Sequence, residues 1–325
     1  MKKTMVILSL CFLLVLASCK KNSSPTSSDG NSVDWEGHYP SVNIACADSI
    51  LCASTRYLGT SYAPSVYILY KDGSGMRALT TQWFTFAASW SPRRWKIIYV
   101  ADTGSAKPAY GLFIMNSDGS NKKRLSQPGE SVFGTASWSP DGNTIAYIEI
   151  DTSNQYGQGR VKLMNPDGTD ERILTNWYLD LRRVSWSPDS RRVVFDGGTS
   201  DKIYIVNVDG SGLSQLFNYS QGCYSPSWSP DGNTLAFSSF AIIDSVYYSK
   251  IFTYGFNTGR ITQVTNGKTF DYNPTWSSDS KTIVFQSSPP GVSSGSALYQ
   301  INVNGSNQTQ LTDNSATDYD PSWYK

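Results

Sequence analysis

Histidine is almost absent from this 325-residue sequence, which contains only His38. A serine hydrolase needs a base to take the proton of its nucleophile, and histidine fills that role in the serine–histidine–aspartate triad. Metal sites built from several histidines need the same residue type. The sequence therefore excludes a histidine-based triad and a multi-histidine metal site. We expect no catalytic residues, no metal and no cofactor.

Charged residues are also scarce, at 16% of the chain, and neither sign dominates. The chain has 27 lysines and arginines against 26 aspartates and glutamates, and loss of Lys2 and Lys3 with a leader would leave 25 against 26. Nucleic-acid-binding domains normally carry a basic surface, so we expect no nucleic-acid partner. The frequent residues, with 26 Gly, 20 Tyr, 15 Pro and 10 Trp, are typical of strands and turns and exclude a helical bundle.

Long hydrophobic runs are confined to the N-terminus, where residues 5–16 follow Lys2 and Lys3. This run is too short to span a bilayer and is typical of a secretory signal. It ends in Leu16-Ala17-Ser18-Cys19, which resembles the bacterial lipobox. We therefore expect cleavage of residues 1–18, lipidation of Cys19, a flexible tether over residues 19–38 and a single domain over residues 39–325. The alternative is an ordinary signal peptide in which Cys19 is incidental.

The predicted anchor also gives an expected location. Only the lipid would contact a membrane, and Lys20 rather than aspartate follows the lipidated position, which favours the outer membrane of a bacterial cell envelope. In an oxidising compartment, Cys46 and Cys52 could form a local disulfide, with Cys223 left as a buried thiol. Spacing alone does not establish that pairing.

A tryptophan motif recurs along the chain with spacings of 42 to 48 residues. Each copy has Ser-Trp or Thr-Trp at its centre, and most continue into Ser-Pro-Asp-Gly or a close variant. Seven residues after each of the first five tryptophans comes a short apolar run that ends in an aromatic residue. The tryptophans are Trp90, Trp138, Trp186, Trp228, Trp276 and Trp323. One tryptophan at the same place in every repeat indicates packing between repeats rather than a ligand platform.

A second recurring element is a pair of strands around an Asp-Gly or Asn-Gly turn, or around Asn257-Thr258-Gly259 in one copy. Such dipeptides favour tight hairpins because the turn needs positive φ angles. The six copies cover residues 66–80, 112–126, 161–175, 203–217, 251–265 and 298–312. Each period thus holds four strands, and four-stranded units at this period are typical of propeller blades.

The sequence therefore predicts an all-β, six-bladed β-propeller of four-stranded antiparallel blades. The motif around Trp323 has no strands after it, and the first hairpin has no Trp motif in register before it. We expect the C-terminal strand to complete the first blade, which closes the ring without an open edge. The alternative for that strand is the imperfect echo at residues 39–42.

The Pro-Ser-Trp-Ser-Pro-Asp-Gly strand, the Ile-Ala-Phe-like strand and the Asp-Gly-Ser hairpin resemble WD40-like, TolB-type (PD40) propeller repeats. The resemblance covers residues 42–325. It implies either the periplasmic TolB type of protein or the propeller of prolyl-oligopeptidase-like enzymes. We expect neither the α/β domain of the former nor the hydrolase domain of the latter.

Two local motifs mimic functional sites. Gly291-Val292-Ser293-Ser294-Gly295 fits the nucleophile pattern Gly-x-Ser-x-Gly, but it follows two prolines in a loop and no helix comes after it. The Asp-rich turns faintly resemble calcium loops, but they lack the glutamate that completes an EF-hand. We interpret both motifs as loop and turn chemistry.

The connections after the second strands vary widely, whereas the Asp-Gly turns on the other face are short and uniform. The predicted connections are residues 55–65, 101–111, 151–159, 196–201, 239–250 and 287–297. Variable loops on a repetitive scaffold usually carry specificity. The residues four before each tryptophan would surround the mouth of the central channel on the variable face, with aspartates nearby. The candidate ligand-binding residues are Phe86, Asp180, Arg182, Tyr224, Asp271, Tyr272, Asp318 and Tyr319, with Asp320, Trp83 and Trp177 as weaker candidates. An alternative is that these side chains only plug the channel.

Taken together, these patterns predict a monomeric, lipid-anchored, non-catalytic module of the cell envelope that binds a protein or peptide. A glycan-binding lipoprotein is the first alternative, supported by the ring of aromatic residues. A carbohydrate-processing enzyme that uses only carboxylates is the second. That enzyme would need two carboxylates about 5–10 Å apart in one pocket.

Overall fold

The computed structural model describes residues 49–56, 64–81, 84–104, 110–152, 158–179, 181–198, 201–291 and 295–323. They belong to one unit of the chain, Ala47–Lys325. Every regular element within these ranges is a β-strand, and the strands are numbered β1 to β25 in chain order. Among the described residues, no helix has the length and apolar character needed to cross a membrane.

The strands form six antiparallel sheets, which are the predicted six blades. Blade 1 contains β1 (Ser49–Ser54), β2 (Ser65–Tyr70), β3 (Arg77–Ala78) and the last strand, β25 (Asp318–Trp323). Blade 2 contains β4 (Thr85–Trp90), β5 (Lys96–Asp102), β6 (Tyr110–Asn116) and β7 (Lys123–Arg124). Blade 3 contains β8 (Ser131–Trp138), β9 (Ile145–Ile150), β10 (Gln158–Met164) and β11 (Arg172–Ile173), with a short fifth strand, β12 (Tyr178–Leu179), beside β10.

The last three blades follow the same order. Blade 4 contains β13 (Val184–Trp186), β14 (Arg192–Gly197), β15 (Lys202–Asn207) and β16 (Ser214–Gln215). Blade 5 contains β17 (Cys223–Trp228), β18 (Thr234–Ile243), β19 (Val246–Gly255) and β20 (Ile261–Gln263). Blade 6 contains β21 (Phe270–Trp276), β22 (Thr282–Ser288), β23 (Ala297–Asn302) and β24 (Thr309–Gln310).

The C-terminal strand closes the ring, as predicted. β25 pairs with β1, with Trp323 opposite Ile50 and Asp318 opposite Ser54. Each innermost strand also contacts the innermost strand of the next blade, and β25 contacts both β21 and β4. The alternative closing segment, residues 39–42, lies outside the described residues.

The second strand of each blade is central in its sheet and is covered on both sides by neighbouring blades. In β5, for example, Ile97, Ile98, Tyr99 and Val100 are all fully buried. A strand that is buried on both faces reads as a continuous apolar run rather than as an alternating pattern. This explains the short apolar run seven residues after each of the first five tryptophans.

The Asp-Gly hairpins also form as predicted. Gly259 in the turn of blade 5 has a φ angle of 65°, and the glycines of the other five turns have φ angles from 85° to 92°, a region that costs glycine little. The preceding aspartate or asparagine accepts a hydrogen bond from the backbone N–H two residues on, as Asp167 does from Thr169 at 2.9 Å. The carboxylates are therefore used by the turn itself, in agreement with their interpretation as hairpin chemistry.

The tryptophans of the repeated motif pack between blades, also as predicted. All six are at most 7% exposed. The indole N–H of Trp186 donates to the carbonyl of Ser137 in the preceding blade at 3.0 Å, and that of Trp276 donates to the carbonyl of Ser227 at 2.9 Å. These bonds join neighbouring innermost strands around the channel.

One predicted loop is wrong. Residues 239–250, expected to be a variable connection, form a continuation of β18 and β19, which pair without interruption from Thr234 and Gly255 to Ile243 and Val246. The turn between them consists of Asp244 and Ser245, with φ angles of 50° and 66°. Two successive residues of positive φ make the tight hairpin turn whose twist matches that of the flanking strands.

Candidate functional site

A cavity of about 820 Å³ lies where the innermost strands begin, on the face of the variable connections. We call it the mouth cavity. It brings together five of the predicted ligand-binding residues, Phe86, Arg182, Tyr224, Tyr272 and Tyr319. The other lining residues are Pro64, Phe84, Phe133, Gly134, Thr135, Arg183, Asp201, Ser225, Phe240, Asn273, Gln286 and Asp320.

Bulges in the innermost strands direct these side chains into the cavity. The pairing register shifts between Phe86 and Ser89, and equivalent shifts occur in the other bulged strands. A β-bulge bends the strand and re-aims the neighbouring side chains. The residue three before the tryptophan takes a left-handed backbone conformation in four blades, at Ala87, Ser225, Asn273 and Asp320, with φ angles from 51° to 57°. Such residues outside glycine are uncommon and cluster at functional sites.

One wall of the mouth cavity is aromatic and comes from blades 2 and 3. The ring of Phe86 lies 5.4 Å from that of Tyr110 and 6.0 Å from that of Phe133, with edge-to-face geometry. Phe84 and Phe133 are 44% and 42% exposed, which is unusual for such large apolar side chains. This wall therefore offers apolar surface that is exposed in the described part of the chain.

The opposite wall and the floor come from blades 4, 5, 6 and 1, where aromatic lining residues alternate with a cluster of polar groups that we call the polar wall. Asp320 forms an ion pair with Arg183 and accepts a hydrogen bond from the Asn273 amide at 2.9 Å. The same amide nitrogen lies 3.1 Å from the side-chain oxygen of Gln286, and the Ser225 hydroxyl donates to the Asn273 side-chain oxygen at 2.8 Å. These contacts form a continuous chain of polar groups across the channel.

The buried carboxylate of Asp196 supports this polar wall. It accepts backbone N–H groups from Arg182 at 3.1 Å, from Arg183 at 2.7 Å and from Ser225 at 2.8 Å. Burial raises the pKa of Asp196 above its usual value, and the three N–H donors oppose that shift. Asp196 thus joins blade 4 to blade 5 through residues of both blades that line the cavity.

Sequence reasoning placed Asp196 only at the start of a variable connection. The sequence did contain a signal for this residue. Asp196 lies ten residues after Trp186, and the equivalent position in blades 1 to 3 is occupied by an apolar residue. At the same position blade 5 has Ser238, which accepts the backbone N–H of Asn273 at 3.2 Å. Blade 6 has Gln286 there, in the polar wall. The polar wall therefore extends into the second strands of blades 4 to 6.

Two predicted residues do not reach the cavity. Asp271 is buried and forms an ion pair with Lys250 at 2.7 Å, and it accepts a hydrogen bond from the Ser287 hydroxyl. Asp318 is fully buried and pairs with Arg56 at 2.7 Å. Successive side chains of a strand point in opposite directions. Since the neighbouring tyrosines face the cavity, these aspartates face the interior instead.

Several predicted positions lie outside the described residues, namely Cys19, His38, Cys46, Trp83 and Asp180. Of the predicted disulfide pair, only Cys52 is described. Its side chain is fully buried, and burial raises the pKa of its thiol well above the usual value. Its pairing with Cys46 stays a prediction. Burial also raises the pKa of the Cys223 thiol, to about 11.

Trp177 lies away from the mouth cavity. It is 38% exposed and stacks against the guanidinium of Arg160 at 4.4 Å. Within the part of the chain that the structure describes, no group of three His, Cys, Asp or Glu residues could hold a metal ion.

A second, narrower cavity of about 330 Å³ continues the channel on the side of the tryptophans. It shares Thr135, Arg183 and Asp320 with the mouth cavity, so these residues mark the boundary between the two. The polar floor thus separates an open aromatic mouth from a channel lined mostly by serine, proline and tryptophan.

Fold and site together define a six-bladed β-propeller with an amphipathic cavity at one end of its channel. The chain belongs to the family of the TolB β-propeller domain (PD40), whose family model matches residues 55–219 and 196–325.

Individual relatives show the same fold. TolB from Acinetobacter baumannii has a TM-score of 0.69 at 16% identity, over 85% of this chain and 66% of that one. An oligogalacturonate lyase from Vibrio parahaemolyticus has a TM-score of 0.56 at 16% identity, over 78% of this chain and 72% of that one. In sequence, 112 residues are 30% identical to dipeptidyl-peptidase 5 from Porphyromonas endodontalis, which is 33% of this chain and 15% of that protein. The chain thus spans only part of the peptidase it matches.

Proposed function

We propose that this protein is a non-catalytic binding module of the bacterial cell envelope that takes a segment of another protein into the mouth cavity. The observation that carries this proposal is the pairing of an exposed aromatic wall with a polar wall across one cavity of about 820 Å³. Binding sites are typically concave, largely apolar and supplied with a few convergent polar groups. A polypeptide suits such a site because it carries apolar side chains and backbone amides together.

The charges of the cavity also bear on the ligand. Among the described residues, its lining contains two arginines, Arg182 and Arg183, and two aspartates, Asp201 and Asp320. Balanced charge favours a ligand segment without a strong net charge of its own. The module would therefore select its partner mainly by shape, aromatic contact and hydrogen bonding.

A binding role rather than catalysis is supported by the state of the carboxylates. Asp320 is engaged by Arg183 and Asn273, which suits a structural floor better than a nucleophile or a proton donor. Membership of the TolB propeller family and the lipobox at Cys19 support a lipid-anchored envelope protein, with outer-membrane attachment as the expected form.

Photo-cross-linking in the envelope tests the proposal. A benzoylphenylalanine residue would replace Phe133, which is 42% exposed in the cavity, and in a matched control it would replace Trp95, which is 51% exposed at the far end of β4 and β5. We expect a discrete cross-linked protein from position 133 and none from position 95. Equal or absent products at both positions would contradict a protein partner at this cavity.

Glycan binding is the second candidate, because an exposed aromatic wall that faces amide and carboxylate groups also suits a sugar ring. An oligosaccharide array separates the two. A glycan that binds the full chain and loses affinity in the Phe133→Ala variant, together with no protein cross-link, would establish this alternative.

A further inference from the structure

The hairpin of blade 5 is the longest among the described parts of the blades. β18 and β19 have ten residues each, whereas the second and third strands of the other blades have six or seven. β17 pairs with β18 only as far as Ser239, so the last four residues of β18 continue past it. At about 3.4 Å per residue they project about 14 Å. We call residues 240–249 the hairpin arm.

One face of the arm continues the apolar surface of the mouth cavity. Tyr224 and Phe240 line the cavity, and their rings are 5.6 Å apart. The ring of Phe240 lies 6.4 Å from that of Tyr247, which is directly opposite Ile242 in the pairing register. Tyr247 is 55% exposed and Ile242 is 60% exposed. An apolar strip therefore runs without a break from the cavity to the tip.

Contacts with blade 6 hold the arm in place. Tyr248 points away from the strip, is 7% exposed and packs on Phe270 with ring centroids 5.3 Å apart. At the base of the arm, directly opposite Phe240, the Ser249 hydroxyl donates to the backbone carbonyl of Asp271 at 2.9 Å. The two-residue turn fixes the register of the two strands. The strip is thus presented by a positioned element.

The inner edge of the arm has no strand beside it among the described residues. The sheet order is β17-β18-β19-β20, and β17 begins opposite Ser239, so residues 240–243 have a strand neighbour only in β19. The two residues on either side of a two-residue turn form backbone hydrogen bonds with each other, and here these residues are Ile243 and Val246. By alternation, Phe240 and Ile242 direct their backbone N–H and C=O groups toward the channel axis.

We propose that the hairpin arm pairs, through this inner edge, with an extended strand of the partner protein whose adjoining residues occupy the mouth cavity. The inference rests on the proposed function and adds how the partner is held. An unpaired strand edge is a template for another strand, and main-chain pairing then provides affinity while alternate side chains provide specificity. The partner segment should therefore carry apolar residues at every second position, which would cover Phe240, Ile242 and Tyr247.

The edge itself identifies the occupant as polypeptide, because only a peptide backbone offers N–H and C=O groups at the spacing of a strand. A lipid surface fits less well. The tip carries Asp244 in an exposed ion pair with Lys268 at 2.8 Å, and burying those charges in a bilayer would be unfavourable.

A peptide-display experiment tests the arm. Random linear dodecapeptides would be selected on the full chain purified from detergent-solubilised envelopes, and binding of the selected peptides measured by fluorescence anisotropy. The arm variants are Ile242→Ser with Tyr247→Ser, which removes the strip, and Ile242→Pro, which removes one outward N–H. Phe133→Ala reports on the cavity and Trp95→Ser is the exposed control. Circular dichroism should show unchanged strand content in each variant.

We expect both arm variants to weaken binding by about tenfold or more, with Trp95→Ser unchanged. N-methylation of the peptide backbone should weaken binding at alternate positions only, a readout that leaves the protein untouched. If Phe133→Ala weakens binding but the arm variants and N-methylation at every position do not, the arm inference is overturned while the proposed function stands. If no peptide is selected, the proposed function fails and the arm inference fails with it.

Discussion

Replacing Lys250 by methionine should destabilise the propeller strongly. The Lys250 ammonium and the Asp271 carboxylate are 2.7 Å apart, and their side chains are 0% and 1% exposed. Burial lowers the pKa of Lys250, and Asp271 opposes that shift, which shows how much the charged lysine depends on its partner. Lys250→Met leaves a buried carboxylate without its counter-charge, a loss of about 3–5 kcal/mol in the free energy of unfolding. At roughly 2 °C per kcal/mol for a domain of this size, Tm should fall by roughly 6–10 °C.

A double-mutant cycle with Asp271→Asn, measured by thermal and urea unfolding, checks the reasoning. Asparagine keeps an oxygen for the Ser287 hydroxyl but removes the charge. The double variant should lose less stability than the sum of the single variants, because neither charge is then left alone. The exposed pair of Lys268 and Asp244, at 2.8 Å, is the matched control, and Lys268→Met should change stability by no more than about 1 kcal/mol. The argument would be refuted if the stability losses of the two single variants simply added up in the double variant. It would also be refuted if replacing the buried lysine and replacing the exposed lysine cost the same stability.

Three further predictions concern the framework of the site. Trp323→Ala should cost about 3–5 kcal/mol in urea unfolding because it empties the core of the closing blade, whereas the exposed Trp95→Ala should stay within about 0.5 kcal/mol. Gly134→Ala should cost roughly 1–3 kcal/mol, since a Cβ at φ +76° would lie 2.2 Å from the carbonyl oxygen of Arg182, and an unchanged urea midpoint would contradict this. The turn carboxylates have lowered pKa values because of their hydrogen bonds, so they add stability above their unfolded pKa of about 4 and lose it as pH falls through the lower folded value. The Tm of a fourfold Asp→Asn variant should therefore lie furthest below that of the wild type at neutral pH, and the two Tm values should approach each other in acid. A difference in Tm that is constant with pH would count against the reasoning. The four turn residues are Asp72, Asp118, Asp167 and Asp209.

The blades could be predicted because their signals are local and repeated. An Asp-Gly turn, a buried apolar run and a tryptophan each specify a short piece of structure, and six copies of the set imply a closed ring. Ring closure by β25 followed from the same register, since the Trp323 motif has no strands after it and the first blade has no such motif before its first hairpin. The family resemblance added a known fold to this pattern, and it was confirmed.

The site was predicted only in part, for reasons visible at single residues. The position four before each tryptophan correctly placed Tyr272 and Tyr319 at the cavity, but it gave no direction to the aspartates beside them. Asp271 and Asp318 lie one residue earlier, so the alternation of the strand turns them into buried ion pairs. Their partners, Lys250 and Arg56, are distant in sequence, and no local pattern links them.

The sequence by itself determined the repeated blades, their number, the hairpin turns and the ring of residues at the channel mouth. Those features depend on short-range patterns in which each residue type favours one backbone conformation. Only the tertiary structure decided that the phenylalanines of blades 2 and 3 gather on one wall while a polar network forms across from them, that Asp196 joins two blades, and that β18 and β19 continue into an arm. Each of these depends on which blade lies beside which and on how a bulge turns a side chain, and such contacts form only when residues far apart in the chain are brought together.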